Sequence, residues 1–154
     1  MVSWKQFSAA SPKLAQLAQA QIFQYGVGLA FLATVRKDGG PRLHPVCPVI
    51  SRENLYLFIL PESPKLADLE RNGHYAMQAF PQAKPDSDEC YITGKAKRID
   101  DPGVFSRVLS DAKHPADPSE VLFELDIDRV MHTRWEGFGT PEYRSIHEKW
   151  TAGE

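Results

Sequence analysis

The sequence predicts a mainly β fold in which six antiparallel strands curl into a barrel with helices on its flanks. Three observations predict it. Short apolar runs are joined by tight-turn signals, Asp38-Gly39 and Arg52-Glu53-Asn54 among them. Val121, Phe123, Leu125 and Ile127 alternate with Leu122, Glu124, Asp126 and Asp128, the period of a half-buried strand. The chain of 154 residues, 42% hydrophobic and 25% charged, suits one globular unit spanning residues 1–154.

The elements follow in order. Ser11 and Pro12 start a helix running to about Gln24, with Leu14, Leu17, Ala18 and Ile22 on one face and Gly26 as its stop. Leu29–Val35 is too short for a helix and is bounded by Gly28 and Asp38-Gly39-Gly40, so it reads as a buried strand. Pro41–Ser51 is a second strand. Pro45 and Pro48 each remove a ladder donor, so it must be bulged, bent or at an edge. Leu55–Leu60 reads as a strand buried on both faces. Ser63, Pro64 and Asn72-Gly73 bound a helix of about two turns. Tyr75–Phe80 and Glu89–Ile99 are further strands flanking the polar loop Pro81–Asp88, and Asp101-Pro102 opens another helix. The strand from Val121 continues to Trp135, and the amphipathic tail Pro141–Glu154 reads as helix-permissive.

Charge and cysteine usage bound the function. With 18 basic and 20 acidic residues the net charge is −2, which provides no general field for nucleic acid or an anionic membrane. Cys47 and Cys90 are too few for a disulfide scaffold and read as reduced thiols of a cytoplasmic protein. No targeting segment is visible, and the longest apolar run, Val27–Val35, is about half a membrane span. The five histidines form no HxH or HxxxH pair, so no metal site can be read. Gly26-Val27-Gly28 leads into a strand, the wrong context for a dinucleotide-binding turn.

Two segments could carry chemistry. At Ser63-Pro64-Lys65 a helix start combines free N–H groups, a hydroxyl and a lysine in the first turn, where positive charge is unfavourable unless an anion offsets it. An ordinary capped helix with a solvated lysine is the alternative. At Pro41–Val49 the prolines leave backbone groups without ladder partners, which the edge of a planar heteroaromatic ring would satisfy. Arg42 and His44 share one face of that strand.

These features, in this order, resemble the pyridoxamine 5'-phosphate oxidase-like family of flavin-binding split barrels. The likeness begins at Leu32-Ala33-Thr34-Val35-Arg36-Lys37-Asp38-Gly39-Gly40-Pro41 and continues through His44-Pro45-Val46, Leu55–Leu60 and Ser63-Pro64-Lys65. It then takes in Tyr91-Ile92-Thr93-Gly94-Lys95-Ala96 and reaches Trp135, covering roughly residues 13–150. The resemblance implies a six-stranded antiparallel split β-barrel of Greek-key type with flanking helices. It implies a homodimer holding FMN in clefts between the subunits. On that basis Ser63, Lys65 and Arg42 would hold the flavin phosphate, His44, Pro45, Val46 and Cys47 would face the ring, and Phe58 and Ile59 would line the neighbouring strand. Trp135 and Arg144 would come from the partner chain.

The departures shape the expected activity. The second strand has His44 and Val49 where authentic oxidases carry Arg and Lys, Glu89 falls near the usual glutamine, and the segment Asp101–Ser119 lacks the Ser-Arg-Pro that grips substrate phosphate. Oxidation of pyridoxamine phosphate is therefore not expected. The expectation is an FMN-dependent oxidoreductase that passes hydride or electrons to or from a small organic molecule, with no protein acid, base or nucleophile assigned. The alternatives are a deazaflavin-dependent reductase of the same superfamily and a non-catalytic, stress-associated flavin binder.

Overall fold

A computed structural model describes residues 1–154. Eight strands form one antiparallel sheet in the order β2-β1-β5-β6-β7-β4-β3, with β8 added to β7. They are β1 Ala30–Val35, β2 Pro41–Val46, β3 Val49–Ser51, β4 Asn54–Ile59, β5 His74–Ala79, β6 Glu89–Ile99, β7 Val121–Glu136 and β8 Arg144–Thr151. Four helices flank them: α1 Trp4–Ala10, α2 Pro12–Ile22, α3 Pro64–Asn72 and α4 Pro102–Asp111. None is long and apolar enough to cross a membrane.

The expected second strand is two strands separated by the bend at Cys47-Pro48, as its prolines require. Because β2 and β3 lie at opposite ends of the sheet order, this bend carries the chain from one edge to the other and curls the sheet into a split barrel. Gly28 makes the bend possible. A Cβ there would lie 2.0 Å from the Pro48 carbonyl oxygen, so only glycine lets the two backbones approach so closely. The split lies between the outer edge of β2 and the part of β4 beyond Tyr56, where pairing with β3 ends.

Inside the barrel Leu32, Leu57, Met77, Ile92, Phe123 and Leu125 are fully buried, with Phe7, Ala18 and Ile22 of α1 and α2 closing one end. A second, smaller core of Val49, Tyr56, Phe58, Val108 and Leu122 lies under α4.

Two elements depart from the sequence reading. Helix α1 precedes the first helix that the sequence predicts. It has a full capping box, Gln6 N donating to Ser3 Oγ and Ser3 N to Gln6 Oε1, and buries Trp4 and Phe7. The tail expected to be helix-permissive is the strand β8, paired with β7 from Arg129↔Thr151 to Glu136↔Arg144. Ile146 and Trp150 fit helical spacing and strand alternation equally well, and the unpaired edge of β7 decides the outcome.

Candidate functional site

The site is built where the barrel is split. On β2, Arg42, His44 and Val46 stand opposite Thr34, Leu32 and Ala30 of β1, so all three turn toward the inner face. Pro45 and Leu43 turn the other way, onto the outer face of the sheet. Across the split, β4 leads directly through Leu60-Pro61-Glu62 into the start of α3, where Ser63 is the N-cap and Pro64 takes the first helical position.

Ser63 does not cap the helix with its side chain. Its hydroxyl instead accepts a 3.0 Å hydrogen bond from Lys65 Nζ. No carboxylate lies within ion-pair distance of this ammonium. Partial burial holds the lysine pKa below its ordinary value, opposed by the more distant charge of Glu120. A hydroxyl and a half-desolvated cation thus meet at a helix start, the chemistry that suits a phosphate.

His44 lies beside them. Its Nε2 is shut off from solvent and has no hydrogen-bond partner. Burial lowers its pKa, the charges of Lys65 and Arg42 lower it further, and Asp68 works against them. The ring is therefore neutral at pH 7, with one nitrogen that a polar ligand edge could satisfy.

Next to this lies a centre that the sequence reading missed. Asp68, 3% exposed, accepts from Thr34 Oγ1 at 2.9 Å and Arg42 Nε at 2.7 Å on Oδ2, and from Arg71 Nη2 at 3.1 Å on Oδ1. Burial alone would raise its pKa, but these three donors and the Arg42 charge prevail and hold it below the usual carboxylate range. The signal available in sequence was slight. Asp68 adjoins the core residue Leu69 on an amphipathic helix, and its partners come from other elements.

The remaining candidates are dispersed. Cys47 is half-buried at the bend, and burial, helped by the Glu120 charge, raises its pKa. Phe58 packs edge-on to Phe105 beneath α4, with ring centroids 5.3 Å apart, and Ile59 is fully buried in the main core. Trp135 stacks on Tyr143 at 5.3 Å, and Arg144 pairs with Glu136 at 3.0 Å. Trp135 lies 14 residues along β7 from Val121, the residue that pairs with Ile59 next to the split. Arg42, His44, Val46, Ser63 and Lys65 therefore gather at the split, whereas Trp135 and Arg144 sit together at the far end of the β7–β8 ladder.

The family model described as pyridoxamine 5'-phosphate oxidase matches residues 18–134. The chain belongs to that family. Its split-barrel architecture recurs in solved structures of low sequence identity, which speak for the fold alone. A heme binding protein from Mycobacterium smegmatis is 16% identical with a TM-score of 0.64, and the match covers 87% of this chain and 57% of that one. General Stress Protein 26 from Bacillus anthracis is 20% identical with a TM-score of 0.57, covering 86% and 99%. HutZ, a heme storage protein from Vibrio cholerae, is 14% identical with a TM-score of 0.58, covering 77% and 89%. Comparison with curated proteins gives no match. The family match includes β2, β4 and the start of α3, so the split and its polar groups lie within the family's shared region.

Proposed function

We propose that this chain is an FMN-binding oxidoreductase that passes hydride or electrons to or from a small organic molecule. The observation that carries the reading is the Lys65–Ser63 pair at the start of α3, a partly desolvated cation with a hydroxyl and no carboxylate. The residues fit the flavin. Ser63 and Lys65 would hold its phosphate with help from Arg42, and the unpartnered Nε2 of His44 would meet the polar edge of its ring. The backbone of Pro45–Cys47 and the free edge of β4 at Phe58 and Ile59 would supply further donors and acceptors. The flavin supplies the redox chemistry when bound; the protein orients it and excludes water.

A homodimer belongs to the same proposal. The outer face of β2, β1, β5 and β6 carries an apolar hollow of about 280 Å³ lined by Phe31, Ala33, Leu43, Ala76 and Tyr91. Leu43 is 64% exposed on it, a surface suited to a second copy. Trp135 and Arg144 lie at the end of the β7–β8 ladder, where a partner copy would carry them to its neighbour's split. Two free cysteines fit a reducing, cytoplasmic setting.

Titration of the purified protein with FMN, followed by flavin fluorescence, tests the reading. Saturable quenching at one flavin per chain is expected, in a species sized as a dimer. A protein that takes up no FMN overturns it; preferential binding of a deazaflavin coenzyme, or of heme, redirects it to those ligands. Steady-state turnover of reduced nicotinamide with several acceptors then separates an oxidoreductase from a flavin binder without catalytic activity.

A further inference from the structure

Arg42 is held by a single hydrogen bond through Nε, and its two Nη groups bond to nothing within the chain. Neither is buried without a partner. The side chain keeps 28% of its surface exposed and borders an open hollow shared with Arg36, Lys37 and Asp38, whose carboxylate is paired with Arg36. The carboxylate holding it cannot swing away. Asp68 Oδ2 is also bound by Thr34, and Oδ1 is bound by Arg71, itself tied to the carbonyls of Val35 and Ala67. A side-on pair would have consumed Nε and one Nη together, whereas contact through Nε alone leaves both terminal groups for an anion.

We infer that Asp68 is a positioning residue, which fixes the Arg42 guanidinium against α3 one turn along from Lys65, so that both Nη groups are free for the phosphate. The inference rests on the FMN reading above and adds to it a residue that would touch no ligand. The ordering of a long side chain is completed on folding and so does not weaken binding. The alternative role for Asp68 is that of a simple counter-charge, and the two roles differ in sign. Removing a counter-charge leaves the split more positive and tightens anion binding, whereas removing a positioning group loosens it.

The test measures FMN affinity, and competition by inorganic phosphate, for the full chain and for Asp68→Asn, Arg42→Ala and the double variant, each checked for native near-UV circular dichroism. Asp68→Asn is expected to weaken FMN about tenfold in the Arg42 background and to have no effect in the Arg42→Ala background. Arg42→Lys supplies a second measurement that leaves Asp68 in place. A lysine engaged by Asp68 keeps N–H donors but lacks the planar fork that presents two of them together, so affinity should fall part of the way toward that of Arg42→Ala. Tighter binding in Asp68→Asn, an equal loss in both backgrounds, or Arg42→Lys behaving like the parent overturns the inference. If the parent binds FMN and Lys65→Ala weakens it while these results are obtained, the FMN reading stands without Asp68. If the parent binds neither FMN nor phosphate, the reading itself fails.

Discussion

Lys65 and Asp68 lie one turn apart on α3, yet their charges are treated in opposite ways. Asp68 is buried and accepts from three residues. Lys65 is half-buried and bonded only to a hydroxyl. Desolvating a charge is costly unless it is paired, so a centre with all its partners contributes to the fold, and one left short is suited to a ligand. The difference leaves one half of this turn with a full set of partners, on which the fold depends, and the other half with a charge that no carboxylate offsets.

Asp68→Ala should break the stable half most severely. It leaves Arg42 and Arg71 without their shared carboxylate, and because both arginines reach solvent the expected loss is about 2–4 kcal/mol. For a chain of this length that lowers Tm by roughly 4–16 °C in a thermal melt. Thr34→Val removes one donor and keeps both arginines; about 1 kcal/mol should be lost. Lys65→Ala, by contrast, should change stability by no more than about 0.5 kcal/mol in the ligand-free protein, since no ion pair is lost. A Lys65→Ala loss as large as that of Asp68→Ala would erase the distinction between the two halves.

The smallest expected effect is one of pH. The folded-state pKa of His44 lies below its unfolded value near 6.5, so the unfolded chain binds more protons between those two values. Stability therefore falls as pH drops below about 6.5, with His114, whose pKa burial also lowers, acting in the same sense. His44→Gln should flatten part of the slope in Tm between about pH 7 and 5. Asp68 acts lower. Its depressed pKa contributes stability fully present above about 3.9 and lost as pH falls through the folded value.

Much of the scaffold was legible because it rests on local signals. Ser63-Pro64 and Gly73 bound α3, Gly39 with φ +82° sits in the β1–β2 turn, and Asp101 caps α4 through Val104 N. The bend at Cys47-Pro48 followed from proline chemistry. What escaped depended on distant partners. The tail becomes a strand because β7 has an edge to fill, and Asp68 gains meaning only when α3 lies across Thr34 and Arg42. At the site, Lys65 and Ser63 could be picked out by adjacency in sequence. Alternation placed Arg42 and His44 on one face but could not show that Arg42 is already committed to a carboxylate.

The central claim, that the split holds a phosphate through Lys65, is tested most directly by comparing FMN with riboflavin, which has the same ring and no phosphate. The parent protein should prefer FMN by at least about tenfold, the contribution of charge-assisted hydrogen bonds of about 1.5–3 kcal/mol. Lys65→Ala should remove most of that preference while leaving riboflavin binding as it was. Equal affinity for the two flavins in the parent, or an undiminished preference in Lys65→Ala, would contradict the account.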